Sequence, residues 1–237
     1  MSLMRLYEAA PFAVQNAVVS LKGLQNRGRR FGSEFQRSLQ GYRARDSWSY
    51  DRIIEYREAR RVEALQRASL TPFYSALFKA RGATWRDFVE PSAFATLPII
   101  TRTELAADID AFRCRPALRS DRIETTSGTT GTSLSFPVSS GVEPDQWAVW
   151  WRYRERLGLK LGERCALFAS FPVVRSAHDS RPYRLNRANN EIRFSIFHIS
   201  EDTVGDYFTA LNRYRPTWVH GNPTAISLLC QLALGAG

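Results

Sequence analysis

Cysteine, lysine and histidine each occur only three times in this 237-residue chain. Cys114, Cys165 and Cys230 are odd in number and far apart, which argues against a disulfide framework and against a C-x-x-C metal motif. They read as reduced, buried small hydrophobes of a cytoplasmic protein. His178, His198 and His220 follow no ligand spacing, so the sequence gives no metal site. His178 stands beside Asp179 in a polar loop, and His198 falls on an alternating, strand-like stretch. No apolar run approaches the ~20 residues of a membrane helix. Pro11, Gln15 and Asn16 interrupt the first apolar segment, unlike the clean core of a signal peptide. Neither the Walker spacing G-x-x-x-x-G-K-[ST] nor the dinucleotide fingerprint G-x-G-x-x-G occurs, and no internal repeat is visible.

What is abundant is arginine. The chain has 33 basic and 23 acidic residues, a formal charge of +10 and a pI near 10.0. Residues 1–70 hold more than half of the excess. Arg27, Arg29, Arg30, Arg37, Arg43 and Arg45 alternate with Phe31, Phe35 and Tyr42, a pattern that suits a solvated basic segment, an anionic membrane surface or nucleic acid. No nucleic-acid motif accompanies it, so nucleic acid is not the expected partner.

Hydrophobic content of 44% with 24% charge is that of an ordinary globular chain. Helical spacing over residues 3–22 is followed by Gly-, Arg- and Ser-rich residues 23–47, read as a loop, so 1–47 forms a basic helical and loop segment. A helix is expected from Ser49 to Ala68, and Thr71-Pro72 reads as a cap with proline at the first helical position. Another follows Ser139-Ser140, carrying Trp147, Trp150, Trp151 and Tyr153, aromatics that read as core. Cys165–Phe171 and residues 192–199 read as strands, Ser200-Glu201-Asp202 caps a helix to Tyr214, and Thr217–His220 is a strand before a helix opened by Pro223. Alternating β and α units predict an α/β fold.

Residues 125–133, Thr-Thr-Ser-Gly-Thr-Thr-Gly-Thr-Ser, form an unbroken run of hydroxyl and glycine side chains. Ile123 precedes it and Leu134, Phe136 and Val138 alternate after it, which predicts strand, loop, strand. Small residues bring backbone amides close to a ligand, glycine permits positive φ, and hydroxyls add donors, so the loop suits polyphosphate. By composition alone it also reads as a Ser/Gly linker.

The run resembles the phosphate loop T-S-G-T-T-G-x-P of the adenylate-forming, AMP-binding superfamily. Thr126, Ser127, Gly128, Thr129, Thr130 and Gly131 match in order, Thr132 takes the free position, and Ser133 replaces proline. Leu134 stands where lysine often follows, a departure that resembles the phenylacetate-CoA ligase and CapK-like branch. Thr71-Pro72-Phe73-Tyr74, Leu97-Pro98 through Leu105, and His220-Gly221-Asn222-Pro223 resemble further segments of that branch, with Asn222 in place of its usual aromatic. The resemblance implies that 48–237 is the first part of the superfamily's large mixed-sheet N-terminal domain, incomplete at the C-terminus, with the lid domain absent. It implies ATP and Mg²⁺ as cofactors, with no Mg²⁺ ligand in this chain, and residues 126–132 as the phosphate site. It further implies a small carboxylic acid as substrate with His220, Gly221, Asn222 and Pro223 lining the acyl pocket, CoA or a carrier as acceptor, and a separate C-terminal half as a partner. The activity implied is ATP-dependent carboxylate activation, incomplete in this chain alone. The rival expectations are a non-catalytic nucleotide-binding or interaction module, and a basic membrane-surface or nucleic-acid-binding protein.

Overall fold

A computed structural model describes residues 3–114, 121–126, 133–170, 173–174 and 181–235. They divide into two compact units: 1–37 with 147–237, and 38–146. Residues 23–47 are largely helical rather than the expected loop. Helix α1 (Leu3–Ala9) stops before Pro11, α2 (Phe12–Arg30) runs on for 19 residues, and α3 (Ser33–Ala44) follows.

In the 38–146 unit, α4 (Tyr50–Ser69) is capped by Ser49, whose hydroxyl accepts from Arg52 N at 3.3 Å. Thr71 accepts from Tyr74 N at 3.3 Å and caps α5 (Pro72–Ala80), the cap the sequence predicted there. Leu65, Phe78 and Phe88 form the core here, with the two phenyl rings stacked at 5.2 Å. Short helices α6 (Pro91–Phe94) and α7 (Arg102–Ala107) lead to an antiparallel pair, β1 (Arg122–Thr125) and β2 (Ser135–Val138).

Helix α8 (Val142–Arg156) precedes the four-stranded sheet of the other unit: β3 (Cys165–Ala169), β4 (Tyr183–Asn186), β5 (Glu191–Ser195), then α9 (Val204–Tyr214), β6 (Trp218–Gly221) and α10 (Pro223–Gly235). The strand order is β4-β5-β3-β6, with β3, β5 and β6 parallel and β4 antiparallel at one edge. Strand β4 was not foreseen, and β5 ends at Ser195, so His198 sits in the turn after it rather than on a strand.

The sheet's two faces differ. Ala166, Phe168, Ile192 and Phe194 pack against Tyr207, Ala210 and Leu229 of α9 and α10. The Tyr207 hydroxyl donates to Ser195 O at 2.8 Å, which satisfies it in a fully buried position. Each buried aromatic contributes roughly 2–3 kcal/mol by area. The opposite face carries Cys165, Glu191, Arg193, Arg184, Asn186, Trp218 and His220, because strand residues alternate and these share register.

Helix α2 seals the β4 edge with polar side chains. Asn16 Oδ1 accepts from Leu185 N at 2.8 Å, Ser20 Oγ donates to Leu185 O at 3.3 Å and accepts from Arg187 N at 3.0 Å. Arg27 donates to Ala188 O at 2.8 Å. An exposed strand edge is a template for aggregation, and here the N-terminal helix occupies it. Gly23 explains itself in the same place, since a Cβ there would lie 2.0 Å from Asn186 Oδ1.

Candidate functional site

Three places carry candidate chemistry. The first is the neck of the β1–β2 hairpin. Register runs from Arg122↔Val138 to Thr125↔Ser135, and the Thr125 and Ser135 hydroxyls lie 2.8 Å apart. Thr126 N donates to Leu134 O at 2.9 Å, and Thr126 Oγ1 accepts from Leu134 N at 3.1 Å. Arg102 Nη2 donates to the same hydroxyl oxygen at 3.3 Å. The neck is therefore closed by paired strands and carries a guanidinium. Of the expected phosphate residues, Thr126 is at this neck; Ser127, Gly128, Thr129, Thr130, Gly131 and Thr132 lie outside the described residues, as does His178.

The second is the turn from β6 to α10. Gly221 has φ +135°, and a Cβ there would meet Phe168 O at 2.2 Å, so only glycine lets β6 approach β3 so closely. Asn222 N extends the ladder to Phe168 O at 3.0 Å, while its side chain accepts from Ala225 N at 3.0 Å and caps α10. Pro223 is the first helical residue, where its missing N–H costs nothing. Gly221, Asn222 and Pro223 thus each have a local structural task, and the asparagine that departs from the resembling motif serves as a cap.

The third is a cavity of about 60 Å³ against the polar sheet face, lined by Trp151, Arg154, Cys165, Glu191, Trp218 and His220 among others. His220 is the one expected acyl-pocket residue that lines it. Cys165, Glu191 and Trp218 are the first residues of their strands, so this cavity lies toward the strands' amino ends. The Glu191 carboxylate is held by two donors. Asn186 Nδ2 donates to Glu191 Oε1 at 3.1 Å, and Arg193 Nε donates to the same oxygen. The His220 ring stacks on Trp218 at 4.5 Å. Burial, helped by the Arg154 charge, pushes the His220 pKa down to about 4, so the imidazole is neutral. Burial and the Glu191 carboxylate push the Cys165 thiol up to about 12. The Arg154 guanidinium lies 5.2 Å from the Trp151 ring and 5.0 Å from the Trp218 ring. Arg154 Nη1, Trp151 Nε1 and Trp218 Nε1 are buried without a hydrogen-bond partner among the described residues.

The sequence reading missed this grouping. A signal was present: parallel strands are ordinarily apolar on both faces, whereas Glu191, Arg193 and Ser195 alternate polar with apolar. The cysteines also divide. Cys165 is buried, but Cys114 and Cys230 are exposed, contrary to the expectation of three buried thiols.

The described chain is a mixed helix-and-sheet protein with an antiparallel strand pair in one unit and a polar-faced four-stranded sheet in the other. Against known proteins it shows a distant similarity to Protein CapK of Staphylococcus aureus, 20% identical over 240 residues, covering 97% of this chain and 50% of that protein. The chain thus spans about half the length of the curated relative it matches. No protein-family profile matches the chain, and no solved structure matches it. Among the described residues no helix is long and apolar enough to cross a membrane.

Proposed function

We propose that this chain is the nucleotide-binding N-terminal part of a CapK-like, phenylacetate-CoA ligase-like enzyme that activates a small carboxylic acid with ATP. The observation that carries the reading is the neck at Thr126 and Leu134, where β1 and β2 pair on either side of the T-S-G-T-T-G run in the sequence. The distant CapK similarity over nearly the whole chain supports it.

ATP supplies the electrophilic phosphorus that the substrate carboxylate attacks, with pyrophosphate leaving. The residues here fit that task by charge and donor type. Ser127, Thr129 and Thr130 provide hydroxyl donors, and Gly128 and Gly131 allow close backbone approach. Arg102 places a cation at the neck, where it would offset phosphate charge. Fixed donors contribute most where charge builds on the leaving group. His220, Gly221, Asn222 and Pro223 would line or shape the acyl pocket. No residue of this chain is assigned to Mg²⁺, and CoA or a carrier would be the acyl acceptor.

The basic-surface reading has less support. Arg27 is bonded to Ala188 O, Arg30 stacks on Trp147 at 4.6 Å, and Arg45 packs against Tyr42 and Tyr56. Three of the six arginines of this segment thus make contacts within the fold. ATP–pyrophosphate exchange tests the enzyme reading. The 237-residue chain, supplemented with a CapK-like C-terminal half, is assayed with a panel of aryl and aliphatic carboxylates. Carboxylate-dependent exchange is expected. Nucleotide binding with no exchange for any acid would replace the enzyme with a binding module.

A further inference from the structure

We propose that Cys165, Glu191 and His220 bind a divalent transition-metal ion of the zinc class on the buried polar face of the four-stranded sheet. The inference is independent of the carboxylate-activating reading, because its test measures metal binding alone.

Register brings the three together although they are far apart in sequence. Cys165 and Glu191 are direct partners across β3 and β5. His220 pairs with Leu167 across β3 and β6, one same-face step from Cys165. Their ligand atoms all lie within 4.8 Å of one another. A tetrahedral zinc site with bonds of ~2.0–2.3 Å places its ligand atoms ~3.3–3.7 Å apart, so closing on an ion takes side-chain shifts of about an ångström. Small χ rotations on rigid strands supply that.

The donors also match in kind. A thiol, an imidazole and a carboxylate suit zinc, cobalt or a similar ion, whereas calcium and magnesium want oxygen ligands throughout. On binding, Cys165 gives up its thiol proton and the S–metal bond replaces S–H. Thiolate and Glu191 carboxylate then cancel the two charges of the ion, so the nearby Arg154 faces a neutral assembly. The bonds from Asn186 and Arg193 both fall on Glu191 Oε1. They fix the carboxylate in the way outer-shell partners orient metal ligands. The Trp218 stack fixes the imidazole plane.

Three protein ligands beside a cavity of about 60 Å³ leave a position for water or a small ligand, and that cavity has room for one. This is the ligand count of an open zinc site rather than a closed structural one. Indole and guanidinium donors at Trp151, Trp218 and Arg154, buried and without a hydrogen-bond partner among the described residues, line the same cavity and would bind an anion or water held there.

The test is Co²⁺ titration of the intact, chelator-stripped 237-residue chain, followed by displacement with Zn²⁺. The expected result is one equivalent bound, with tetrahedral visible absorption and a thiolate-to-cobalt charge-transfer band, both abolished by Zn²⁺. Cys165→Ser, nearly isosteric and checked for folding by circular dichroism, should lose the charge-transfer band. His220→Gln, which keeps the thiol, should retain the band but weaken binding at least about tenfold. The exposed-thiol variant Cys114→Ser/Cys230→Ser should behave as wild type. Absence of the band in wild type, its persistence in folded Cys165→Ser, or its loss in the exposed-thiol variant each overturns the proposal.

Discussion

Replacing Gly221 with alanine tests the packing that places His220. Two penalties coincide there. The backbone has φ +135°, a region that L side chains rarely enter, with a cost of order 1–3 kcal/mol. The new Cβ would also lie 2.2 Å from Phe168 O and 2.7 Å from Phe168 N, both well inside the 3.4–4 Å of ordinary contact and the first by more than an ångström. Neither partner is a flexible side-chain tip, since both belong to the backbone of β3. Relief requires β6 to move off β3, and overpacking of this kind costs ~1–3 kcal/mol more. The total is about 2–6 kcal/mol, a large share of the ~5–15 kcal/mol stability of a typical domain. Gly158→Ala supplies the comparison: its φ is +81°, yet no atom lies within 4 Å of the added methyl. It should cost only ~1 kcal/mol, the torsional part. Urea unfolding followed by tryptophan fluorescence reads both, through Trp151 and Trp218 of the same unit. Equal midpoints for the two variants would refute the claim that close β3–β6 approach demands glycine.

Three further outcomes follow from named contacts. Tyr207→Phe removes the donor to Ser195 O in a fully buried position and should cost ~1–2 kcal/mol in urea unfolding, with unchanged far-ultraviolet circular dichroism. Asn222→Ala removes the cap of α10 and should cost ~1 kcal/mol, largely restored by Asn222→Asp, as shown by unfolding midpoints. Acid should fray the α7 start and the 84–88 turn first. The Glu104 carboxyl is held below its ordinary value by the Thr101 hydroxyl and amide, and that of Asp87 by the Thr84 amide and hydroxyl. Because both folded values are depressed, their contribution is present above the usual carboxylate range and is lost as pH falls through the depressed values. Amide protection factors at Thr84 and Thr101, taken relative to intrinsic exchange at each pH, should therefore fall on acidification, and Glu104→Gln should remove that fall at Thr101.

Local signals in the sequence were the most legible. Thr71 and Pro223 open helices where their capping and proline chemistry predicted, and α4 begins beside Ser49 as its apolar spacing suggested. Apolar alternation located β5 and β6 to within a few residues. Glycine misled the reading of residues 23–47. In isolation Gly23, Gly28, Gly32 and Gly41 look like loop residues, but Gly23 lies inside a helix because Asn186 occupies the space a methyl would need. No local pattern carries that information, since it depends on a partner 163 positions later. The same holds for the polar cavity: Cys165, Glu191 and His220 meet only through the β5-β3-β6 order, and strand order is not written in any one segment. Gln15 and Asn16, read as breaks in an apolar segment, are buried and reach Arg184 and Leu185. Their polarity suits a sheet edge.

The proposed carboxylate activation requires residues 126–132 to act as a polyphosphate cradle. Isothermal titration of the intact chain with inorganic tripolyphosphate tests that directly, because this ligand needs no adenine or ribose contact. The prediction is saturable one-to-one binding that Ser127→Ala/Thr129→Ala weakens by ~1–3 kcal/mol, roughly 5- to 150-fold in affinity. Unchanged affinity in the double variant, or no saturable binding in wild type, would contradict it.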